Sequence, residues 1–253
     1  MKYLIYCLPR TRSTFLQDVI AQTYNLKNLE EPYHRVDMEA KKGLIRLDDE
    51  IVWSKYQNRI IEITKNLAIQ DNIVVKIFSD TTFNHVKNIK IASAPNFELE
   101  YNDLLDIEKF CAISMYNKIY ILYRKNITNF ICSYRYGHNF GKLQYKNNID
   151  DKNISEFRKK QKVNLVLKEN LLAMDVLEYV LFQLQAKHLN KTYQNIVNLE
   201  YDEIPLYINK NFPHTTSNFI GTNFDYKILV KNYNEIDYKV NYYFDKFSKL
   251  LSE

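Results

Sequence analysis

Six consecutive residues near the start of the chain, Pro9-Arg10-Thr11-Arg12-Ser13-Thr14, combine two guanidinium groups with three hydroxyl groups. They follow the apolar segment Tyr3–Leu8, which predicts a buried strand. They lead into residues 13–24, where apolar side chains recur at helical spacing. A turn of this kind points backbone N–H groups and the positive end of a helix at one place. Because arginine and hydroxyl side chains add further donors, the sequence predicts a loop that binds a phosphate or a sulfate.

The loop lacks the glycines of the common nucleotide-binding motifs. A Walker A loop needs Gly-x-x-x-x-Gly-Lys-Ser/Thr, and the first glycine of this chain is Gly43. The chain has only four glycines, and they form no Gly-x-Gly-x-x-Gly fingerprint. These absences disfavour a nucleotide-handling kinase.

A phosphatase is an alternative interpretation of the same loop. Low-molecular-weight tyrosine phosphatases need five residues between a nucleophilic cysteine and an arginine, so that the loop wraps around the phosphate. Here four residues separate Cys7 from Arg12, and Ser13 stands where that arginine would be. A second alternative is a plain strand–turn–helix whose arginines lie on the surface and bind nothing.

A second group of residues lies in the middle of the chain. Lys118–Tyr123 predicts a strand, which Arg124 follows directly. Asn126 is then placed to cap a helix that carries Ser133 at the margin of its apolar stripe. Arg124 and Ser133 are therefore candidates for a second anion site, although arginines at strand ends are often only structural.

Together these stretches resemble the cytosolic-type and bacterial sulfotransferase family, whose sulfuryl donor is 3′-phosphoadenosine 5′-phosphosulfate (PAPS). The loop Pro9–Thr14 is similar to the family's Pro-Lys/Arg-Ser/Thr-Gly-Ser/Thr-Thr loop, and Arg124 with Ser133 is similar to its Arg and Ser pair. Residues 28–33 resemble a Glu-Pro-aromatic segment of bacterial and viral members, and residues 197–204 resemble a late strand and its tail. One departure is Arg12, which stands where the family has its loop glycine.

The resemblance implies roles for the residues of both motifs. The 5′-phosphosulfate would be bound by the loop side chains and N–H groups of Arg10, Thr11, Arg12, Ser13 and Thr14. Arg124 and Ser133 would bind the 3′-phosphate and so select this donor over ATP. Arg10 would stabilise the charge that develops on the leaving phosphate oxygen. No metal is expected, because the arginines and the helix end supply the positive field.

The acceptor must lose a proton, so a general base is expected. Glu31 is the first candidate because it precedes Pro32 in the Glu-Pro-aromatic segment, and Glu30 is the fallback. His34 and His85 are rival bases, since histidine titrates near neutrality. Lys76, near the end of a predicted inner strand, is expected to reach the sulfuryl group. It occupies the place where animal cytosolic members begin a Lys-Thr-His sequence, and the histidine of that sequence is absent here.

The whole chain predicts an α/β fold. At 253 residues, a single domain over residues 1–253 is the simplest expectation. The remaining strand candidates are Ile73–Phe78 and residues 196–201, and long helices are expected at about 155–190 and 233–251. Strands that alternate with helices predict a three-layer sandwich, a central parallel sheet flanked by helices, of the P-loop NTPase-like kind.

Composition and charge indicate which classes of binding partner and which cell compartment are expected. The net charge of +5 is mild, and no basic stripe favours nucleic acid. No apolar run is long enough to span a membrane. The three cysteines, Cys7, Cys111 and Cys132, have no metal-ligand spacing and favour a reducing, cytoplasmic compartment.

The sequence leaves the acceptor and the oligomeric state open. A small molecule, a carbohydrate or a lipid are all candidate acceptors, and residues 79–116 and 138–162 are expected to line their site. A degenerate sulfotransferase-like domain that binds an anion or nucleotide without turnover is the non-enzymatic alternative.

Overall fold

The structure is a computed structural model. It describes residues 1–33, 50–79, 90–91, 97–98, 111–136, 165, 169–213 and 225–250. Contacts within the chain divide it into two compact units. The first unit contains residues 1–123 and 182–217, and the second contains residues 124–181 and 218–253. The expectation of one domain over the whole chain stays a prediction.

Seven strands are described, numbered in chain order: β1 Lys2–Cys7, β2 Lys27–Asn28, β3 Ile73–Phe78, β4 Lys90–Ile91, β5 Phe97–Glu98, β6 Lys118–Tyr123 and β7 Ile196–Glu200. Five of them form one sheet in the order β2-β3-β1-β6-β7, and every neighbouring pair is parallel. β4 and β5 form a separate antiparallel pair. The four strands predicted from apolar runs are confirmed as β1, β3, β6 and β7.

The described helices are Ser13–Tyr24, Glu50–Ala68, residues 127–136, Glu169–Thr192, Ile204–Asn211, Tyr226–Leu229 and Tyr233–Leu250, with a 3₁₀ turn at Ile113–Met115. The predicted helix at 13–24 is confirmed, and the helix predicted at 233–251 is confirmed from Tyr233 to Leu250, with residue 251 outside the described part of the chain. The helix predicted from about residue 155 is described from Glu169 and continues to Thr192. Residues 155–164 lie outside the described part of the chain.

In the first unit, β1 is buried on both of its faces, as expected for the centre of a parallel sheet. On one face, Ile5 and Cys7 pack in a cluster with Leu16 and Val19 of the helix Ser13–Tyr24 and with Ile208 of a later helix. On the other face, the ring of Tyr6 lies 5.3 Å from that of Phe182, centre to centre. The sheet with helices on its faces is a three-layer α/β arrangement, which confirms the predicted fold class; its P-loop NTPase-like part stays a prediction.

In the second unit, aromatic rings join three helices. Phe130 lies 5.7 Å from Tyr179, and Tyr179 lies 6.4 Å from Phe244, between ring centres. Asn126 caps the helix at residues 127–136, because its side-chain oxygen accepts a hydrogen bond of 2.7 Å from the backbone N–H of Asn129. The predicted N-terminus of this helix is therefore confirmed.

Among the described helices, none has the length and apolar character needed to cross a membrane. The three cysteines are buried and form no disulfide.

Candidate functional site

The loop Pro9–Thr14 begins at the carboxyl end of β1, the middle strand of the sheet. From β1 the chain runs towards β3 and β2, whereas from the neighbouring β6 it goes on to β7 at the opposite edge. In open parallel sheets, ligands bind at the carboxyl ends of the strands where the chain changes direction in this way. The sheet order therefore places the predicted anion loop at the preferred position for a ligand.

Two arginines of the loop adopt left-handed backbone conformations. The φ angle of Arg10 is 63°, and Arg12 has φ 60° and ψ 22°. This region is uncommon for residues other than glycine, and it is typical of turns that gather backbone N–H groups around an anion. Arg12 stands where the loop of the sulfotransferases that this sequence resembles has glycine. It adopts a backbone conformation that glycine adopts at no steric cost.

The side chain of Arg12 contacts Tyr201, just after β7. Its guanidinium carbon lies 3.9 Å from the centre of the Tyr201 ring, and a terminal nitrogen donates to the Tyr201 carbonyl at 3.0 Å. Cation–π contacts and a hydrogen bond together stabilise the unusual backbone at this residue. The prediction that Arg12 binds the phosphosulfate stays a prediction.

The loop closes on itself before the helix begins. The hydroxyl of Thr11, which is fully buried, donates to the carbonyl of Leu8 at 2.7 Å. The helix then starts at Ser13, with no side-chain cap and no acidic residue in its first turn. An uncapped N-terminus keeps its positive field available to a bound anion. Ser13 is buried, whereas Arg10 and Thr14 are exposed.

Three predicted site residues meet at Lys76. Its side chain is only 3% exposed, and its ammonium nitrogen lies 2.8 Å from the hydroxyl oxygen of Thr14. The same nitrogen lies 2.8 Å from a carboxylate oxygen of Glu31, whose side chain is 26% exposed. A predicted sulfuryl-contacting lysine, a predicted base and the first turn of the helix predicted to bind an anion therefore form one cluster.

The position of Glu31 is fixed by the backbone that precedes it. The carbonyl of Glu30 accepts a 2.9 Å hydrogen bond from the backbone N–H of Lys76. The side chain of Gln17, which is 1% exposed, donates to the same carbonyl at 3.2 Å. Glu30 itself has a left-handed backbone, with φ 52°. These bonds hold residues 28–31 along the edge of β3, so that Glu31 lies beside Lys76.

In the second unit, Arg124 and Ser133 are both buried. The backbone carbonyl of Arg124 accepts a hydrogen bond from the hydroxyl of Tyr179. The hydroxyl of Ser133 is bonded to that of Tyr226 at 2.9 Å, with the phenol donating. The predicted 3′-phosphate role of the pair stays a prediction.

The neighbouring Arg135 forms an ion pair inside the second unit. Its Nε donates to a carboxylate oxygen of Asp175 at 2.6 Å, and a terminal nitrogen contacts the other oxygen. Burial raises the pKa of Asp175, while the hydrogen bond and the charge of Arg135 lower it. The pair links the helix at residues 127–136 to the helix Glu169–Thr192.

The cysteine that a phosphatase would need is inaccessible. Cys7 is the last residue of β1, 0% exposed, and it pairs in register with Phe78 on one side and Leu122 on the other. A nucleophilic thiolate must reach its substrate and is stabilised by positive surroundings. The structure thus adds a reason to disfavour the phosphatase.

Several candidates lie outside the described residues. The rival bases His34 and His85 do so, as do residues 138–162 and most of residues 79–116, which were expected to line the acceptor site. Within the residues that are described, no group of three or more His, Cys, Asp or Glu side chains is arranged to hold a metal ion.

Two residues of the site were not singled out from the sequence. Gln17 is a polar residue on a helix face that otherwise carries Leu16, Val19 and Ile20, and this interruption was the available signal. Tyr201 lies in the stretch that resembles the family's late strand and tail, but no role followed from that likeness. Their contacts join residues 13 and 189 positions apart in the chain, which local sequence patterns do not show.

Comparison with known proteins leaves the family open. No family model matches the sequence, and no curated protein matches it at a significant level. The likeness to sulfotransferases therefore rests on the motifs alone.

Proposed function

We propose that this chain is a sulfotransferase that moves a sulfuryl group from PAPS to an acceptor hydroxyl or amine and releases 3′-phosphoadenosine 5′-phosphate. One observation carries the proposal. The loop Pro9–Thr14 lies at the carboxyl end of the central strand, with two left-handed arginines, an uncapped helix start and the buried Lys76 ammonium beside it. These features support an anion-binding loop that lacks a Walker A sequence.

The assignment of the donor, as distinct from any anion, rests on the motif resemblance. In this proposal the loop residues 10–14 bind the 5′-phosphosulfate, and Arg124 and Ser133 bind the 3′-phosphate. Both residues of the latter pair are buried in the second unit, where the Ser133 hydroxyl accepts a hydrogen bond from Tyr226.

The proposed reaction is an in-line transfer. The bond between sulfur and the phosphate oxygen breaks, and that oxygen keeps the electron pair, while a bond forms between sulfur and the acceptor oxygen or nitrogen. Arg10 stabilises the charge on the leaving phosphate, and Lys76 contacts the transferring group. Glu31 accepts the acceptor's proton. An arginine in the place of the family's lysine acts electrostatically, because it does not readily give up a proton.

Calorimetric titration with 3′-phosphoadenosine 5′-phosphate in the absence of magnesium tests the donor site. We expect micromolar binding, with 5′-AMP and ATP weaker by at least about tenfold, which corresponds to about 1.4 kcal/mol. Arg124→Ala should abolish the preference for the 3′-phosphate, since that charge loses its partner. Arg59→Ala is the matched control, because Arg59 is an exposed arginine that pairs with Glu62 on its own helix. Circular dichroism checks that each variant is folded.

Two results separate the alternatives. Equal affinity for 3′-phosphoadenosine 5′-phosphate and 5′-AMP would overturn the sulfotransferase assignment. Binding without donor-dependent transfer to any phenol, saccharide or lipid of an acceptor panel would instead favour the degenerate anion-binding domain.

We also propose a cytoplasmic location for this enzyme. Three buried cysteines without a disulfide fit a reducing compartment. Carbohydrates, lipids and small phenols remain candidate acceptors, and a nucleic acid is not proposed, since the net charge of +5 is modest.

A further inference from the structure

We propose that Glu31 is an internal counter-ion that competes with a bound anion for the Lys76 ammonium, so that Glu31 is released to act as a base only when an anion occupies the loop. The inference rests on the proposed function for its second half, the release of a base. Its first half concerns anion binding alone and is tested separately.

The first step is the charge on Lys76. A buried ammonium needs a partner of opposite charge, because an unpaired charge in the protein interior is strongly destabilising. Lys76 is 3% exposed, and Glu31 is the carboxylate in contact with it. In the absence of a ligand, Glu31 therefore supplies the negative charge that the ammonium requires.

The second step is the location of this pair. The ammonium also contacts Thr14, the second residue of the helix that follows the anion loop. A carboxylate that shares this ammonium lies beside the positive end of the helix, where an external anion would bind. Glu31 and a bound phosphate or sulfate would therefore both interact with the Lys76 ammonium and with the N-terminus of this helix.

The third step is that the Glu31 side chain can move more easily than the Lys76 side chain. The backbone before Glu31 is held by Gln17 and by the N–H of Lys76, but the Glu31 side chain is partly exposed. An incoming anion repels the carboxylate and offers the ammonium another partner. The Glu31 carboxylate can then leave the ammonium, whereas Lys76 cannot leave the sheet.

A double-mutant cycle measured by calorimetry tests the competition, with inorganic pyrophosphate and 3′-phosphoadenosine 5′-phosphate as separate probes. Glu31→Gln should tighten binding about tenfold, that is by about 1.4 kcal/mol, because the internal competitor is removed. Lys76→Met should weaken binding. In the double variant, Glu31→Gln should have no further effect, since the competition passes through the Lys76 ammonium.

Glu30→Gln is the matched control. It removes the same charge one residue earlier, from an exposed side chain, and should change affinity by less than about twofold. If Lys76→Met does not fold, Lys76→Gln takes its place, because an amide can still hydrogen-bond the Thr14 hydroxyl. Far-ultraviolet circular dichroism of each variant decides which one is used.

The outcomes distinguish this inference from the proposed function. Tightening by Glu31→Gln that persists without Lys76 would show simple charge repulsion and overturn the competition, and so would no tightening at all. Pyrophosphate binding that follows the cycle, without binding of the bisphosphate nucleotide, would uphold the competition and overturn the sulfotransferase. Binding of the bisphosphate nucleotide without the expected pattern among the variants would overturn the competition and leave the sulfotransferase proposal standing. Failure to bind either probe would overturn both the competition and the sulfotransferase proposal.

Discussion

Arg12 holds a backbone conformation that its side chain makes unfavourable. A residue other than glycine loses roughly 1–2 kcal/mol in the left-handed region, because its Cβ approaches the following carbonyl. The contacts of the guanidinium with the Tyr201 ring and carbonyl offset part of this cost. The loop Pro9–Thr14 thus contacts the residue that follows β7 through the same arginine whose backbone is unfavourable.

Two substitutions at Arg12 separate these effects. Arg12→Gly and Arg12→Ala both lose the contacts with Tyr201, but only glycine relieves the backbone. We expect the alanine variant to have the lower free energy of unfolding, by about 1 kcal/mol, as measured by urea denaturation.

The same pair of substitutions at Asp18 is the control for the Arg12 experiment. Asp18 lies in the middle of the helix Ser13–Tyr24, where alanine is favoured over glycine by about 1 kcal/mol. The order of the two variants should therefore be reversed there. A glycine variant at Arg12 that is no more stable than the alanine variant would mean that the backbone strain is absent.

At the scale of whole elements, the sequence predicted those that carry long apolar patterns. β1, β3, β6 and the helix Ser13–Tyr24 were located almost to the residue, since each has a continuous or periodic apolar run. The strand β2 was not predicted, because two residues, Lys27 and Asn28, contain no periodicity. It forms through pairing with β3, which a local pattern does not contain.

The candidate site was predicted in part for the same reason. The loop Pro9–Thr14 is continuous in sequence and was recognised directly. Lys76 contacts both Thr14 and Glu31, which are 62 and 45 positions away from it in the chain. These contacts depend on the order of strands in the sheet, which a local sequence pattern does not show. The residue types were identified beforehand, whereas their pairing required the fold.

The cap at Asn126 provides a prediction for a single element. Asn126→Ala removes the hydrogen bond to the backbone N–H of Asn129 and should lower the free energy of unfolding by about 1 kcal/mol. Asn126→Asp keeps an acceptor at the helix N-terminus and should lose less than half of that amount. Urea denaturation measures both, and equal losses in the two variants would show that the cap does not stabilise the helix.

At the scale of the whole molecule, burial keeps many ionisable groups neutral. Burial raises the pKa of the Cys132 thiol from 9.0 to about 12, with the charge of Asp237 adding to the effect. Burial also raises the pKa of Tyr243 to about 12, assisted by Glu169. For Tyr33, burial is again the main cause of a raised pKa, and the hydrogen bond with Thr64 opposes it. These groups release protons at a lower pH in the unfolded chain than in the folded one, so alkaline conditions should destabilise both units.

The pH dependence of stability follows from these directions. A raised pKa in the folded state stabilises the protein below the ordinary pKa of the group, and that stabilisation is lost as the pH rises towards the folded-state pKa. Stability should therefore change little from pH 7 to about 9 and fall above it, as measured by urea denaturation at each pH.

Tyr33→Phe removes one such group and should make the decline in the free energy of unfolding above pH 10 shallower by about 1.4 kcal/mol per pH unit. Tyr238→Phe is the control, because that side chain is 76% exposed and changes its surroundings little on unfolding. An unchanged slope in Tyr33→Phe would show that the phenol of Tyr33 ionises equally in the folded and unfolded chains.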